Sequence, residues 1–313
     1  MSKRKKRLII ILSAVVVVLL VAMVFVGNFF YDFSLKSRRG ERAPGVQTDD
    51  VAGTSEEASA WTERAWFDDN AQTHFITSGD GLQLAGHLVE TEGNRYAIVV
   101  HGYTGNGRSM SGFGEQFYDR GFSVLMPDCR GHGESEGDYI GMGWPDRLDI
   151  IAWIDWIIER NPQAEILLYG ISMGGATVMM TSGEDLPPQV KAVIEDCGYT
   201  SVWDEFRTQL REQFGLPAFP VLHIASVTAR VRAGYWLQDA DAVKQVAKST
   251  LPMLFIHGED DTFVPFWMLE PLYEAKPEPK EKLVVPGAVH GASASVAPEL
   301  YWETIDTFLA TYM

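Results

Sequence analysis

Residues 165–180 read EILLYGISMGGATVMM, and that stretch decides the fold. An apolar run of strand length passes straight into Gly-x-Ser-x-Gly, and a small-residue helix pattern opens at once. Strand, Gly-flanked serine and helix, in that order, are the context of a nucleophile elbow. The turn is tight, so positions beside the serine must be nearly bare, and Gly170, Gly174 and Gly175 meet that demand. It aims Ser172 above the C-terminal edge of a sheet. It also sets the amide of Met173 at a helix N-terminus, where it can face a developing oxyanion. Read alone, the same residues are a Gly-rich turn that contains a serine, so the surrounding chain has to decide.

On both sides of the elbow, strands alternate with helices. Upstream, residues 74–77 and 82–89 read as two strands joined by the turn Ser78-Gly79-Asp80-Gly81. Residues 96–100 are a continuous apolar strand ending in HGYTGNG (101–107), and residues 122–126 are another, ending in PDCRGHGES (127–135). A short helix is expected over 110–120. Pro145 opens an amphipathic helix with Ile150, Trp153, Ile154, Ile157 and Ile158 on one face. Downstream come strands at 190–195, 252–257 and 282–285, with helices at 266–275 and 299–312. The expected class is α/β: a mostly parallel eight-stranded sheet, led by a hairpin and covered by helices on both faces. Residues 200–249 break the alternation with a helical pattern dense in aromatics (Trp203, Phe206, Phe214, Phe219, Tyr235, Trp236). They read as a small helical cap over the strand ends. Their aromatics are either the cap's own core or the wall of an acyl or aryl pocket.

The ends of the chain differ sharply in character. Residues 1–7 hold five basic side chains, and residues 8–26 are apolar apart from Ser13, long enough to cross a bilayer as a helix. Basic residues on its N-terminal side hold that end in the cytoplasm and send the rest outside. A cleaved signal peptide is the alternative, but GNFFY (27–31) offers no small-x-small cleavage site. We therefore expect a basic cytoplasmic segment (1–7), an uncleaved transmembrane signal anchor (8–26), a juxtamembrane segment and flexible linker (27–60), and one catalytic domain (61–313) facing outward. The first 42 residues carry nine Lys or Arg against Asp32 and Glu41, so the net charge of −16 belongs to an acidic body. Such a body argues against nucleic acid as a partner and is consistent with solubility.

A nucleophilic serine needs a base, and the base needs an orienting acid. Downstream of Ser172 lie His223, in the cap, His257, at the end of a strand, and His290, in the loop PGAVHG (286–291) after the last strand. His290 is the expected base. The acid should leave the preceding strand, which offers Asp260 or Asp261, with Asp196 as the topological runner-up.

With these segments in order, the chain resembles an α/β-hydrolase of the esterase/lipase kind over roughly residues 72–313. Its HGEDDTFVP segment (257–265) is similar to the family's His-Gly-x-x-Asp-x-x-Val-Pro, which implies Asp261 as the acid. HGYTGN (101–106) resembles the His-Gly-Phe-Thr-Gly-Asn loop of cinnamoyl (feruloyl) esterases, which implies Tyr103 as the first oxyanion amide beside Met173. DCRGHGES (128–135) matches a loop we read as structural. The basic-apolar start also looks like that of membrane-anchored bacterial hydrolases.

Other chemistries find less support. No His-x-x-x-His or Cys-x-x-Cys pair points to a metal. The Gly102–Gly107 loop lacks the Lys-Ser/Thr ending of a phosphate loop. Cys129 and Cys197 follow strands that are not neighbours in this fold, so they read as separate buried thiols. The reading is a membrane-anchored serine esterase acting on a small-molecule acyl or aryl ester through Ser172, His290 and Asp261, without a cofactor. A peptidase or acyltransferase using the same residues, and an inactive fold serving as a surface binding protein, are the alternatives. Oligomeric state is left open.

Overall fold

The computed structural model describes residues 2–37 and 65–313. Eight strands form one sheet: β1 (Gln72–Thr77), β2 (Gln83–Val89), β3 (Arg95–Val100), β4 (Ser123–Pro127), β5 (Glu165–Ile171), β6 (Val190–Asp196), β7 (Met253–Gly258) and β8 (Lys280–Val285). Their spatial order is β1-β2-β4-β3-β5-β6-β7-β8. Only β2 pairs antiparallel with its neighbours, and every other pairing is parallel.

Strands buried on both faces should read as continuous apolar runs, and these do. Along β3, Ile98 and Val100 enter one core layer, while Ala97 and Val99 enter the other. One layer holds α4 (Asp146–Arg160) and α5 (Met173–Ser182), with Trp153, Ile154, Ala176 and Met179 against the sheet. The other holds α3 (Ser111–Asp119) and α11 (Pro298–Tyr312), with Phe117, Tyr301, Ile305 and Phe308. Short helices α2 (Ala65–Asn70), α9 (Leu269–Ala275) and α10 (Ser293–Val296) lie in the connections. Parallel pairing brings the C-terminal ends of β3, β5, β6, β7 and β8 to one edge of the sheet. The loops from that edge carry all the expected site residues.

Between β6 and β7 the chain leaves the sheet as three helices: α6 (Val202–Phe214), α7 (Ala218–Arg232) and α8 (Ala242–Val246). Ser201 caps α6 by accepting from the Asp204 amide, and Gly215 ends it in the left-handed conformation at φ 65°. These helices occupy the stretch expected to form a cap.

The N-terminal helix α1 runs from Lys3 to Ser34, well past the apolar run. Its apolar part is exposed and has a mean hydropathy of 3.4, long and apolar enough to cross a membrane. From Gly27 onward the helix packs against the body. Tyr31 and Leu35 are buried in the same core layer as α4 and α5. A Cβ at Gly27 would run into Thr228 Oγ1 of α7, so glycine permits a close helix crossing there. Arg232 of α7 pairs with Asp32 at 2.7 Å and lies over the Tyr31 ring. Beyond the helix, Ser37 donates its amide to Asp138 O, and Ile140 donates to Leu35 O. The segment expected to be juxtamembrane linker from residue 27 is therefore helix and packed strap as far as residue 37. The rest of the expected linker, residues 38–60, lies outside the described residues.

Candidate active site

Ser172 stands at the junction of β5 and α5 with φ 57° and ψ −118°, a conformation side chains rarely adopt. The glycines around it explain how the turn closes. A Cβ on Gly170 would strike the Gly174 carbonyl, and one on Gly174 would strike the Val100 carbonyl. Backbone thus passes against backbone on both sides of the serine, and α5 begins at Met173.

His290 Nε2 lies 2.8 Å from Ser172 Oγ, and His290 Nδ1 lies 2.7 Å from Asp261 Oδ2. All three side chains are buried. Asp261 is held from several sides. Its Oδ1 accepts from the amides of Phe263 (3.0 Å) and Val264 (2.9 Å). Its Oδ2 also lies 3.4 Å from His257 Nε2. Burial pushes this carboxyl up, but His290 and His257 outweigh it and hold Asp261 below the usual carboxylate range. It is an ionised acceptor at neutral pH. With Asp261 accepting, the proton of the imidazole sits on Nδ1, which leaves Nε2 free to accept from Ser172.

The alternative acids take other positions. Asp260 is exposed, its amide donating to Ala288 O. Asp196 is buried, but its Oδ2 accepts from Tyr301 Oη at 2.9 Å, and that hydroxyl also meets Tyr169 Oη at 2.8 Å. Burial raises the Asp196 carboxyl to about 6. His257 sits behind Asp261, donating from Nε2 to Val264 O at 2.9 Å. His223 is on the cap surface, its ring against Trp203 and Phe219.

The loop after β3, which carries Tyr103, rests on the serine: a Cβ on Gly102 would lie 3.3 Å from Ser172 Cβ. His101 braces that loop. Its Nε2 accepts from the Cys129 amide at 3.0 Å, which puts its proton on Nδ1, 2.7 Å from Gly102 O. Burial lowers its pKa and keeps it neutral. Asp128 accepts from the amides of Gly107 and Glu134, each at 2.7 Å, tying the loops after β3 and β4 together. The structural reading of residues 128–135 accounts for these bonds. Tyr103 Oη donates to Ser34 O, the end of α1, at 2.7 Å.

Cys129 and Cys197 are both free and buried. Cys197 Sγ lies with Asp261 and His290 in a group whose ligand atoms fall within 4.8 Å of one another. The set does not suit a metal ion. His290 Nδ1 already faces Asp261, and burial pushes the Cys197 thiol well up, away from the thiolate a metal would need.

Above Ser172 a cavity open to solvent is walled by Phe206, Leu210 and Phe214 of α6, Val221 and Leu222 of α7, and Phe263. Phe30, Phe33 and Ser34 of α1 complete it. Of the six cap aromatics singled out in the sequence, only Phe206 and Phe214 face this space; Tyr235 is buried and Trp236 exposed. Sequence reasoning missed the contribution of α1. The signal was present, since GNFFYDFS (27–34) carries four aromatic side chains, an odd composition for a free tether. A polar ridge on α6 was also missed. Glu205, Gln209 and Gln213 follow one another at i, i+4 and i+8: Gln209 Nε2 donates to the Glu205 carboxyl at 3.0 Å, and Gln213 Nε2 to the Gln209 side-chain carbonyl at 2.8 Å. Burial raises the Glu205 carboxyl to about 8.

A family model described as alpha/beta hydrolase fold matches residues 98–217. The chain is 28% identical to the uncharacterized protein YqkD of Bacillus subtilis (strain 168) over 246 residues, 78% of this chain and 81% of that one. It is 26% identical over 161 residues to the lysophosphatidylserine lipase ABHD12 of Xenopus tropicalis, 49% of this chain and 39% of that protein. Among solved structures, the Pyrococcus furiosus esterase Pf2001 superposes with a TM-score of 0.66 at 20% identity, covering 90% of this chain and 99% of the esterase. Sheet order, elbow and family model agree: the chain has the α/β-hydrolase fold. The likeness to cinnamoyl esterases rests on the His101–Asn106 loop alone.

Proposed function

We propose that this chain is a membrane-anchored serine hydrolase that cleaves carboxylic esters. One observation carries the reading: an unbroken line of hydrogen bonds from Ser172 Oγ through His290 to Asp261, at a strained elbow, under an apolar cavity. Ser172 Oγ bonds to the ester carbonyl carbon while its proton passes to His290 Nε2. The imidazolium is stabilised by ionised Asp261, which keeps the ring's orientation. The amides of Tyr103 and Met173 receive the negative charge that develops on the carbonyl oxygen. Collapse breaks the C–O bond, and His290 gives its proton to the departing alcohol. Water then adds to the acyl-enzyme, losing a proton to His290, and the acid leaves as Ser172 is restored. No cofactor enters this cycle.

The esterase Pf2001 is matched over 99% of its length at a TM-score of 0.66, whereas the Pyrococcus horikoshii acylaminoacyl peptidase is matched over 41% of its length at 0.57. With the lysophosphatidylserine lipase among the relatives, this supports an ester over an amide. Anchoring is supported by the length and apolarity of α1 and by its packing beyond Gly27, which continues helix where a signal peptide would be cut. Basic residues 3–7 favour an outward-facing body at the cell surface.

The test is full-length protein offered p-nitrophenyl acyl esters and dipeptide amides, with a fluorophosphonate probe in parallel. Ester turnover with probe on Ser172 is the expected outcome. Turnover of the amides alone would move the reading to a peptidase, and absence of both turnover and label would leave a binding protein.

A further inference from the structure

Resting on the ester-hydrolase reading above, we propose that the pocket is fed from the bilayer: its outer wall is the anchor helix itself, and its substrates are long-chain acyl esters resident in the membrane. Phe30 and Phe33 of α1 face the same cavity as Ser172. They form an edge-to-face cluster with Phe214 of the cap, at ring separations of 5.3 and 5.1 Å. A free tether would contribute nothing to such a wall. Here the last two turns of the membrane helix are part of it.

Helix geometry fixes how near the membrane this wall stands. The apolar run of residues 8–26 spans about 28 Å at 1.5 Å per residue, close to the roughly 30 Å thickness of a hydrocarbon core. Phe30 and Phe33 lie four and seven residues further on, hence about 6 and 10 Å along the helix axis. With a headgroup layer about 5–7.5 Å deep on each side, Phe30 lies within it and Phe33 just above it. An acyl chain leaving the bilayer beside α1 therefore meets the pocket without crossing bulk water.

The geometry is held rather than loose. Gly27 lets α1 cross α7 closely against Ile224 and Thr228, and Arg232 clamps Asp32. The next residues round α7, His223, Val227 and Val231, are exposed at i, i+4 and i+8, and Phe219, exposed at the kink near the start of α7, packs its ring on His223. Three of these four are large and apolar, so the cap presents an apolar edge next to the anchor. At the other end of the pocket Tyr103 Oη holds Ser34 O, so the wall is bonded to the residue whose amide serves the oxyanion. A pocket built for small water-soluble esters has no use for a wall delivered by a membrane span.

Two measurements test this. In the first, full-length protein is reconstituted in phosphatidylcholine vesicles containing an oleoyl ester with a fluorogenic leaving group, at constant bulk ester and increasing phospholipid. If substrate enters from the bilayer, the rate follows mole fraction in the membrane, falling about tenfold for a tenfold surface dilution; a rate set by bulk ester alone overturns the proposal. In the second, Phe33→Trp and Phe30→Ala are compared with wild type on short and long acyl esters. The ratio of kcat/KM for long over short chains should change by tens of fold, the scale set by a methylene-sized change of fit. Phosphonate labelling of Ser172 in each variant reports that the site is assembled. Labelled variants with an unchanged ratio overturn the wall while leaving the ester-hydrolase reading intact. A wild type that neither labels nor turns over any ester defeats that reading, and the proposal with it.

Discussion

The two halves of this site are built in opposite ways. Below Ser172, every group is polar, buried and fixed by hydrogen bonds between loops that leave one edge of the sheet. Asp261 alone meets two amides and two imidazoles. Above Ser172, the walls are largely apolar: rings from α1 and α6 and aliphatic side chains from α7, segments nearly two hundred residues apart in sequence, held by packing. The lower half suits a reaction, where a small error of position costs much of the rate. The upper half suits selection among acyl groups, where each methylene changes fit by roughly 1–3 kcal/mol. Chemistry and choice of substrate should therefore be separable by substitution.

The largest effect belongs to the lower half. Asp261→Asn should lower kcat by about four orders of magnitude, the scale of losing the tautomer that faces the serine. Asp260→Asn, at an exposed position, should stay within a few-fold. A greater loss for Asp260→Asn or Asp196→Asn in steady-state ester hydrolysis would move the acid elsewhere. In the upper half, Phe214→Ala should change the acyl-length profile of kcat/KM by tens of fold. Trp203→Ala is the internal contrast, because its ring packs on His223 outside the cavity wall. It should leave that profile in place. Equal effects from the two would erase the boundary drawn between pocket and cap core.

A smaller effect comes from protons. Burial holds Glu195 and Glu205 at about 8, whereas such groups titrate near pH 4 in an unfolded chain. Between those values the folded chain binds more protons than the unfolded one, so stability falls as pH rises toward 8. His101 and His132, kept neutral by burial, act in the opposite sense only below about pH 6.5. In the window from about pH 7 to 8, Asp146, raised by burial to about 7, and His257, raised by Asp261 against its burial, act in the same sense as the glutamates. Lys276, lowered by burial to about 8, opposes them, so Glu205 is read from the difference between wild type and Glu205→Gln. The urea midpoint should decrease across that window, and Glu205→Gln should flatten the decrease. A midpoint rising with pH would contradict the assignment. The smallest effect is expected for Tyr103→Phe, which keeps the backbone amide but removes the donor to Ser34 O. A loss of about 1 kcal/mol in stability and a few-fold in kcat is expected. A loss as large as that of Asp261→Asn would mean that the helix contact, not the amide, controls the site.

The same contrast explains what could be read from the sequence. The elbow and the strands declare themselves locally: Gly170 sits against the Gly174 carbonyl four residues on, within one motif, and buried strands read as apolar runs. The upper half is tertiary. Phe30 joins Phe214 only because Gly27 lets two helices cross, and no local periodicity encodes that meeting. The composition change near residue 27 reads as the end of a span, while the helix goes on to Ser34 because its aromatics have a surface to bury against. Choosing between neighbouring Asp260 and Asp261 needed the resemblance of residues 257–265 to a known pattern, since spacing alone left both open.

The central claim is that Ser172 is a nucleophile activated by His290. Intact-mass spectrometry of the full-length protein after fluorophosphonate treatment tests it most directly. One adduct is expected, located at Ser172 by peptide mapping, absent in Ser172→Ala and formed orders of magnitude more slowly in His290→Ala. An unmodified wild type, or an adduct whose rate is indifferent to His290, would contradict it.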